Sequence, residues 1–114
     1  LVTAALALGA CSPAATTSPS PTSVAVQLAD FEIQLPATTL SGSTFTFAVT
    51  SSGPTPHNFN IRAESGTLAS TVDLSTGESD TVTATLQPGT YTYFCAFPGH
   101  ESLGMRGTLT VALP

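Results

Sequence analysis

The sequence predicts an all-β domain, specifically an antiparallel Greek-key β-sandwich of about seven or eight strands. Three observations carry that expectation. From Val24 onward, apolar and polar residues alternate in short runs, the pattern of strands with one buried face. Turn residues separate these runs, with nine Gly and nine Pro in the 114-residue chain. The i, i+3, i+4, i+7 recurrence of an amphipathic helix is missing, and only 8% of residues are charged.

The chain opens in a different character. Residues 1–10, LVTAALALGA, are apolar and rich in Ala, and Cys11 follows directly. A helix needs about 20 apolar residues to cross a bilayer, so this stretch reads as the hydrophobic region of a secretion signal, truncated because neither an initiating Met nor a basic leader precedes it. Leu8, Gly9, Ala10 and Cys11 resemble a lipobox, which would make Cys11 a lipidated membrane anchor. An ordinary signal peptide, or a disulfide between Cys11 and Cys95, is the alternative. Residues 11–23 continue as a Ser/Thr/Pro-rich tether with nothing to pack, from which a disulfide would be poorly specified. The folded domain is expected to span residues 24–114.

Within that domain, Val24, Val26 and Leu28 share one parity, whereas Phe31, Ile33 and Leu35 share the other. This change of phase predicts a bulge or bend near Ala29 and Asp30. Phe45, Phe47 and Val49 form the next face, which Ser-Ser-Gly-Pro-Thr-Pro at 51–56 ends. His57, Phe59 and Ile61 follow, then weaker runs at 72–74 and 82–86. The turn at 87–90 leads into Tyr91, Tyr93 and Cys95, and Leu109, Val111 and Leu113 make a final strand.

Charge excludes one class of partner. Seven acidic residues stand against Arg62 and Arg106, for a formal net charge of −5. Such a chain cannot neutralise a row of phosphates, so nucleic acid is set aside.

The segment FCAFPGHESLGM, residues 94–105, holds one of two Cys, one of two His and the sole Met. His57 is in phase with Phe59 and Ile61, Cys95 with Tyr91 and Tyr93, and Met105 with Leu109 and Val111. All three are therefore expected to point inward at strand ends, while His100 lies in a loop where parity makes no prediction. A thiolate, two imidazoles and a thioether are the donors of a type 1 blue-copper site, three strong ligands and a weak axial Met. Soft sulfur favours Cu(I), and imidazole serves both oxidation states. Taken singly, each residue has an ordinary reading: a buried Cys acts as a small hydrophobe and a Met fills a gap. Zinc also accepts Cys and two His, although divalent copper outranks it in general affinity.

On PHNF at 56–59 and YTYFCAFPGHESLGMRGTLTV at 91–111, the chain resembles the cupredoxins, the plastocyanin and azurin family. Its Cys-x4-His-x4-Met spacing, with Pro-Gly before the His, looks most like that of the auracyanins. The resemblance implies a cupredoxin-like sandwich holding one copper ion, cycling between Cu(II) and Cu(I), with His57, Cys95 and His100 as equatorial ligands and Met105 as the axial one. Asn58 would brace the ligand loop. Phe94, facing away from Cys95, occupies a position that is often Tyr in plastocyanin-like chains. Glu101, next to His100, is a candidate for tuning its basicity.

The expected function is that of an extracytoplasmic one-electron carrier rather than an enzyme, because two His cannot also furnish the further coppers of multicopper oxidases. Transfer would be outer-sphere through the His100 edge, within an apolar docking patch of Pro54, Pro56, Phe97, Pro98 and Leu103. Brief redox encounters use small surfaces of this kind. The partners would be a cytochrome or a membrane electron-transfer complex. The acidic group Asp73, Glu78 and Asp80 is either a solvated turn or a dock for a basic cytochrome. The carrier is expected to be a monomer, anchored through Cys11 in the periplasm or on the outer face of the cytoplasmic membrane. The alternative is a copper-delivery lipoprotein with no electron-transfer role.

Overall fold

A computed structural model describes residues 21–113. The apolar segment 1–10, Cys11 and the tether up to residue 20 lie outside the described residues. Among the described residues there are nine strands and no helix. They are β1 Thr22–Ala29, β2 Glu32–Gln34, β3 Thr39–Ser41, β4 Thr44–Ser51, β5 Asn60–Ala63, β6 Gly66–Ser70, β7 Ser79–Thr85, β8 Gly89–Phe94 and β9 Arg106–Ala112. Strand β1 takes in Thr22 and Ser23, which composition alone groups with the tether.

The strands form two sheets, ordered β2-β1-β4-β7 and β3-β9-β8-β5-β6. Both sheets are mixed, because β1 runs parallel to β4 and β3 parallel to β9. The sequence predicts antiparallel pairing throughout. Parity reports which face is buried but says nothing of a neighbour's direction, and the two parallel pairs are the difference. The phase change at Ala29 and Asp30 is a full reversal, with β2 folding back antiparallel so that Ala29 pairs with Glu32.

Alternation does find the core. Val24, Val26, Leu28, Phe45, Phe47, Val49, Phe59, Ile61, Leu109 and Val111 are all buried. Each such side chain contributes roughly 1.5–3 kcal/mol when fully removed from water. Phe47 packs on Phe59 at 5.5 Å between ring centroids, and Phe59 on Tyr93 at 6.2 Å, which ties the two sheets together. Leu113, expected in the last strand, lies past its end and is exposed.

This topology collects strand ends at one pole. Strand β1 ends beside β4 because Leu28 pairs with Ser51, and β5 begins beside the end of β8 because Asn60 pairs with Phe94. Strand β9 begins there too, with Arg106 opposite Phe94. Residues just outside these ends are therefore brought together whatever their separation in the chain.

Candidate metal centre

His57 reaches the pole three residues before β5. Its backbone is fixed by a two-way bridge, with its N–H donating to the Leu74 carbonyl at 3.0 Å and its carbonyl accepting from Leu74 N–H at 2.7 Å. Cys95 follows β8 directly, and its N–H donates to the Met105 carbonyl at 3.0 Å, setting Met105 alongside, one residue before β9. Between them the chain makes a compact turn. The His100 N–H donates to Phe97 O at 3.0 Å, and the His100 carbonyl accepts from both Leu103 and Met105 at 3.1 Å.

One donor atom from each of His57, Cys95 and His100 falls within 4.8 Å of the other two. The two Nδ1 atoms are 3.2 Å apart, and Cys95 Sγ is 3.6 Å from His100 Nδ1. His57, Cys95 and Met105 are each 0% exposed, whereas His100 is half-buried. Its ring is flanked by Phe97, stacked at 5.5 Å, and by Phe31, edge-on at 5.2 Å. Soft sulfur and two imidazole nitrogens converging on one point suit copper, and the residues present fit that ion.

Behind the donors stand residues that sequence reasoning missed. His57 Nε2 lies 2.9 Å from Asp30 Oδ1, within hydrogen-bonding distance. The same oxygen accepts from the Thr55 hydroxyl at 2.6 Å and the Thr55 N–H at 3.1 Å. The Thr55 hydroxyl, with the Thr55 N–H and the His57 ring, holds the Asp30 carboxyl below the usual carboxylate range against the opposing effect of burial. Asp30 and Thr55 carry no local signal, since Asp30 meets Thr55 and His57 across 25 and 27 residues of chain. Phe31, whose parity assigns it inward with Ile33 and Leu35, is instead 36% exposed against the His100 ring.

The remaining predicted positions fall around this cluster. Asn58 Oδ1 accepts from the Ala96 N–H at 2.7 Å and from Asn60 Nδ2 at 2.8 Å, and Asn58 Nδ2 donates to Asp73. Glu101 directs its carboxylate to Arg62, at 2.6 and 3.1 Å, with Arg106 at 3.5 Å, and Arg62 in turn lies 4.2 Å above the Phe94 ring. Phe94 is thus a covered platform on the sheet face away from Cys95. Pro54 and Pro56 lie exposed in the loop leading to His57, Pro98 and Leu103 lie exposed around His100, and Phe97 is half-buried. Asp73, Glu78 and Asp80 serve local contacts: Asp73 accepts from Asn58, Glu78 from the Ser75 N–H and Asp80 from the Val72 N–H.

A two-sheet β-sandwich with a buried Cys and two His at one pole is the architecture of a mononuclear blue-copper domain. The profile of the Cupredoxin-like domain matches residues 1–111, and the chain belongs to that family. Within the family its features are auracyanin-like. Auracyanin-B of Chloroflexus aurantiacus is 60% identical over 45 residues, which are 39% of this chain and 19% of that protein. The chain thus aligns with about a fifth of that relative. An auracyanin from the photosynthetic bacterium Roseiflexus castenholzii, reduced with dithionite, superposes with a TM-score of 0.69 at 23% identity, covering 82% of this chain and 99% of that one. An auracyanin B structure superposes at 0.68 with 27% identity, covering 84% and 93%. The family's cofactor is one copper ion, and His57, Cys95 and His100 are the residues of this chain that could hold it.

Proposed function

We propose that this chain is an extracytoplasmic one-electron carrier with a single type 1 copper centre. The observation that carries this reading is the buried convergence of His57 Nδ1, Cys95 Sγ and His100 Nδ1, with a 0% exposed Met105 beside Cys95. When bound, copper supplies a Cu(II)/Cu(I) couple. The chain itself holds the donors still, because His57 and Cys95 are fixed by backbone bonds at strand ends, and the Met105 thioether would be the further, weaker donor to a bound copper. Burial keeps water away from His57, Cys95 and Met105.

Only His100 of the three equatorial donors meets solvent, so its ring edge is the part of the site that a redox partner can approach. Pro54, Pro56, Phe97, Pro98 and Leu103 surround it as the apolar docking patch for a cytochrome or a membrane electron-transfer complex. The lipobox-like sequence ending at Cys11 and the Ser/Thr/Pro tether support a lipid anchor that keeps a monomeric carrier at the outer face of a bacterial membrane.

The test is spectroscopic. Copper-loaded protein is expected to show intense visible absorption from thiolate-to-copper charge transfer, and Cys95→Ser to abolish it. A loaded protein without that band, or a Cys95→Ser variant that keeps it, overturns the assignment.

A further inference from the structure

We propose that the turn Asp30–Phe31 is a third arm of the metal centre, in which Asp30 is a positioning residue that sets the tautomer of His57 and lowers the reduction potential of the site. This inference rests on the copper reading above. Its geometry, however, is a property of the polypeptide alone.

The turn is built into the pole on both sides. Asp30 N–H donates to the Gly53 carbonyl at 3.1 Å, joining the turn to the loop that precedes His57. On the other side, Gly104 of the His100 loop packs against the Phe31 carbonyl so closely that a Cβ there would come within 2.9 Å, at a φ of +127°. One dipeptide therefore addresses both imidazoles, Asp30 by a hydrogen bond to His57 and Phe31 by an edge contact with His100.

Asp30 is itself held. The two bonds from Thr55 leave Oδ1 directed at His57 Nε2. A carboxylate in that position accepts only a proton-bearing nitrogen, so His57 keeps its proton on Nε2 and presents the bare Nδ1 to the cluster. The fully buried His57 ring leaves little water to offer a competing acceptor. The carboxylate also makes the imidazole a stronger donor and adds negative charge near the site. Both effects favour the more highly charged Cu(II) over Cu(I).

Two variants separate the roles. Asp30→Asn keeps an acceptor oxygen and removes the charge; Asp30→Ala removes both. In copper-free protein at about pH 8, where imidazole is ordinarily neutral, long-range proton–nitrogen NMR is expected to show His57 as the Nε2–H tautomer in the wild type and in Asp30→Asn. Asp30→Ala is expected to give a mixture of tautomers. In copper-loaded protein, Asp30→Asn is expected to weaken the preference for Cu(II) about tenfold, the low end of the loss in metal affinity on removing such outer partners, taken to fall on Cu(II). For a one-electron couple this is a rise of ~59 mV in potential. Thr55→Val, which removes the hydroxyl that holds Asp30, is expected to shift the potential in the same direction by less.

An unchanged tautomer in Asp30→Ala together with an unchanged or lower potential in Asp30→Asn would overturn the proposal and leave Asp30 a purely structural contact. Should Asp30→Ala fail to fold, Asp30→Asn and Thr55→Val still decide the matter through the potential. If the wild-type protein loads copper without a blue band, the proposed function fails. The copper-free tautomer then judges Asp30 on its own.

Discussion

Two loops meet at the metal pole, and they are held in opposite ways. The loop at 52–56, which delivers His57, is stitched to the end of β1 and the turn after it. Ser52 donates its N–H and hydroxyl to the Leu28 carbonyl, Asp30 donates to Gly53, and Thr55 donates twice to Asp30. The loop at 96–104, which carries His100, bonds mainly to itself, from the His100 N–H on Phe97 O to the Ser102 hydroxyl on Gly99 O. Its outward ties include the Ala96 N–H on Asn58 and the Glu101 pair with Arg62. One histidine is therefore part of the core, and the other sits on a self-contained turn laid over it. A carrier that must stay rigid at the donors yet present one ring to partners needs this asymmetry.

The largest expected effect tests that asymmetry directly. His57→Gly removes a fully buried ring and one of the three hydrogen-bond partners of Asp30 Oδ1, and it is expected to cost roughly 2–4 kcal/mol of stability as well as the visible band. His100→Gly, at a half-buried loop position, is expected to cost about 1 kcal/mol or less. Added imidazole should then restore copper absorption in His100→Gly but not in His57→Gly, because only the former vacancy opens toward solvent. Denaturant midpoints and titration with imidazole measure both. Equal losses and equal rescue would show that the loops are equivalent after all.

Asn58 sharpens the comparison because it ties the second loop to the segment that follows His57. It is 9% exposed, and its side chain bonds Ala96 of one loop, Asn60 of β5 and Asp73. Asn58→Ala removes the acceptor of the Ala96 N–H, which at an exposed residue can turn to water, so the loss is that of an ordinary hydrogen bond, about 0.5–1.5 kcal/mol. The expected outcome is a loss of that size in unfolding free energy, together with faster amide exchange in residues 96–104 than in residues 52–56. Equal exchange in both loops would mean that Asn58 does not set the mobility of the second one.

Much of this pole is legible in the sequence because parity is a local property. His57, Phe59 and Ile61 alternate with their neighbours as buried strand residues do, and all three are buried in the structure. The same argument places Cys95 and Met105 inward, where both are found. What parity cannot supply is pairing. Strand β3 is three residues long with Leu40 as its one buried side chain, too short to show a period, and β6 has no fully buried residue at all. The Asp30–Thr55–His57 network depends on the parallel register of β1 with β4, which brings Leu28 beside Ser51 and so sets the two following loops in contact. Nothing near Asp30 in the sequence announces a partner 27 residues away.

The smallest effect expected comes from the tie that holds the His100 turn to the sheet from outside. Glu101 and Arg62 meet in a two-point contact, but about a third of each side chain is in solvent, and pairs of that kind contribute about 0–1 kcal/mol. The Arg62 guanidinium bonded to Glu101 holds its carboxyl below the ordinary glutamate range, with Arg62 and Arg106 charges adding to the effect and burial opposing it. A carboxyl with a depressed folded value stabilises the fold above its unfolded value of about 4.3 and loses that contribution as pH falls through the lower folded value. Glu101→Gln is therefore expected to cost up to about 1 kcal/mol near neutral pH and progressively less as acid protonates the wild-type side chain. Chemical denaturation of both proteins across that range, at low and high salt, measures the difference. A gap that persisted after Glu101 is protonated would mean that the turn is tied down by shape and not by charge, which would bring the second loop closer in kind to the first.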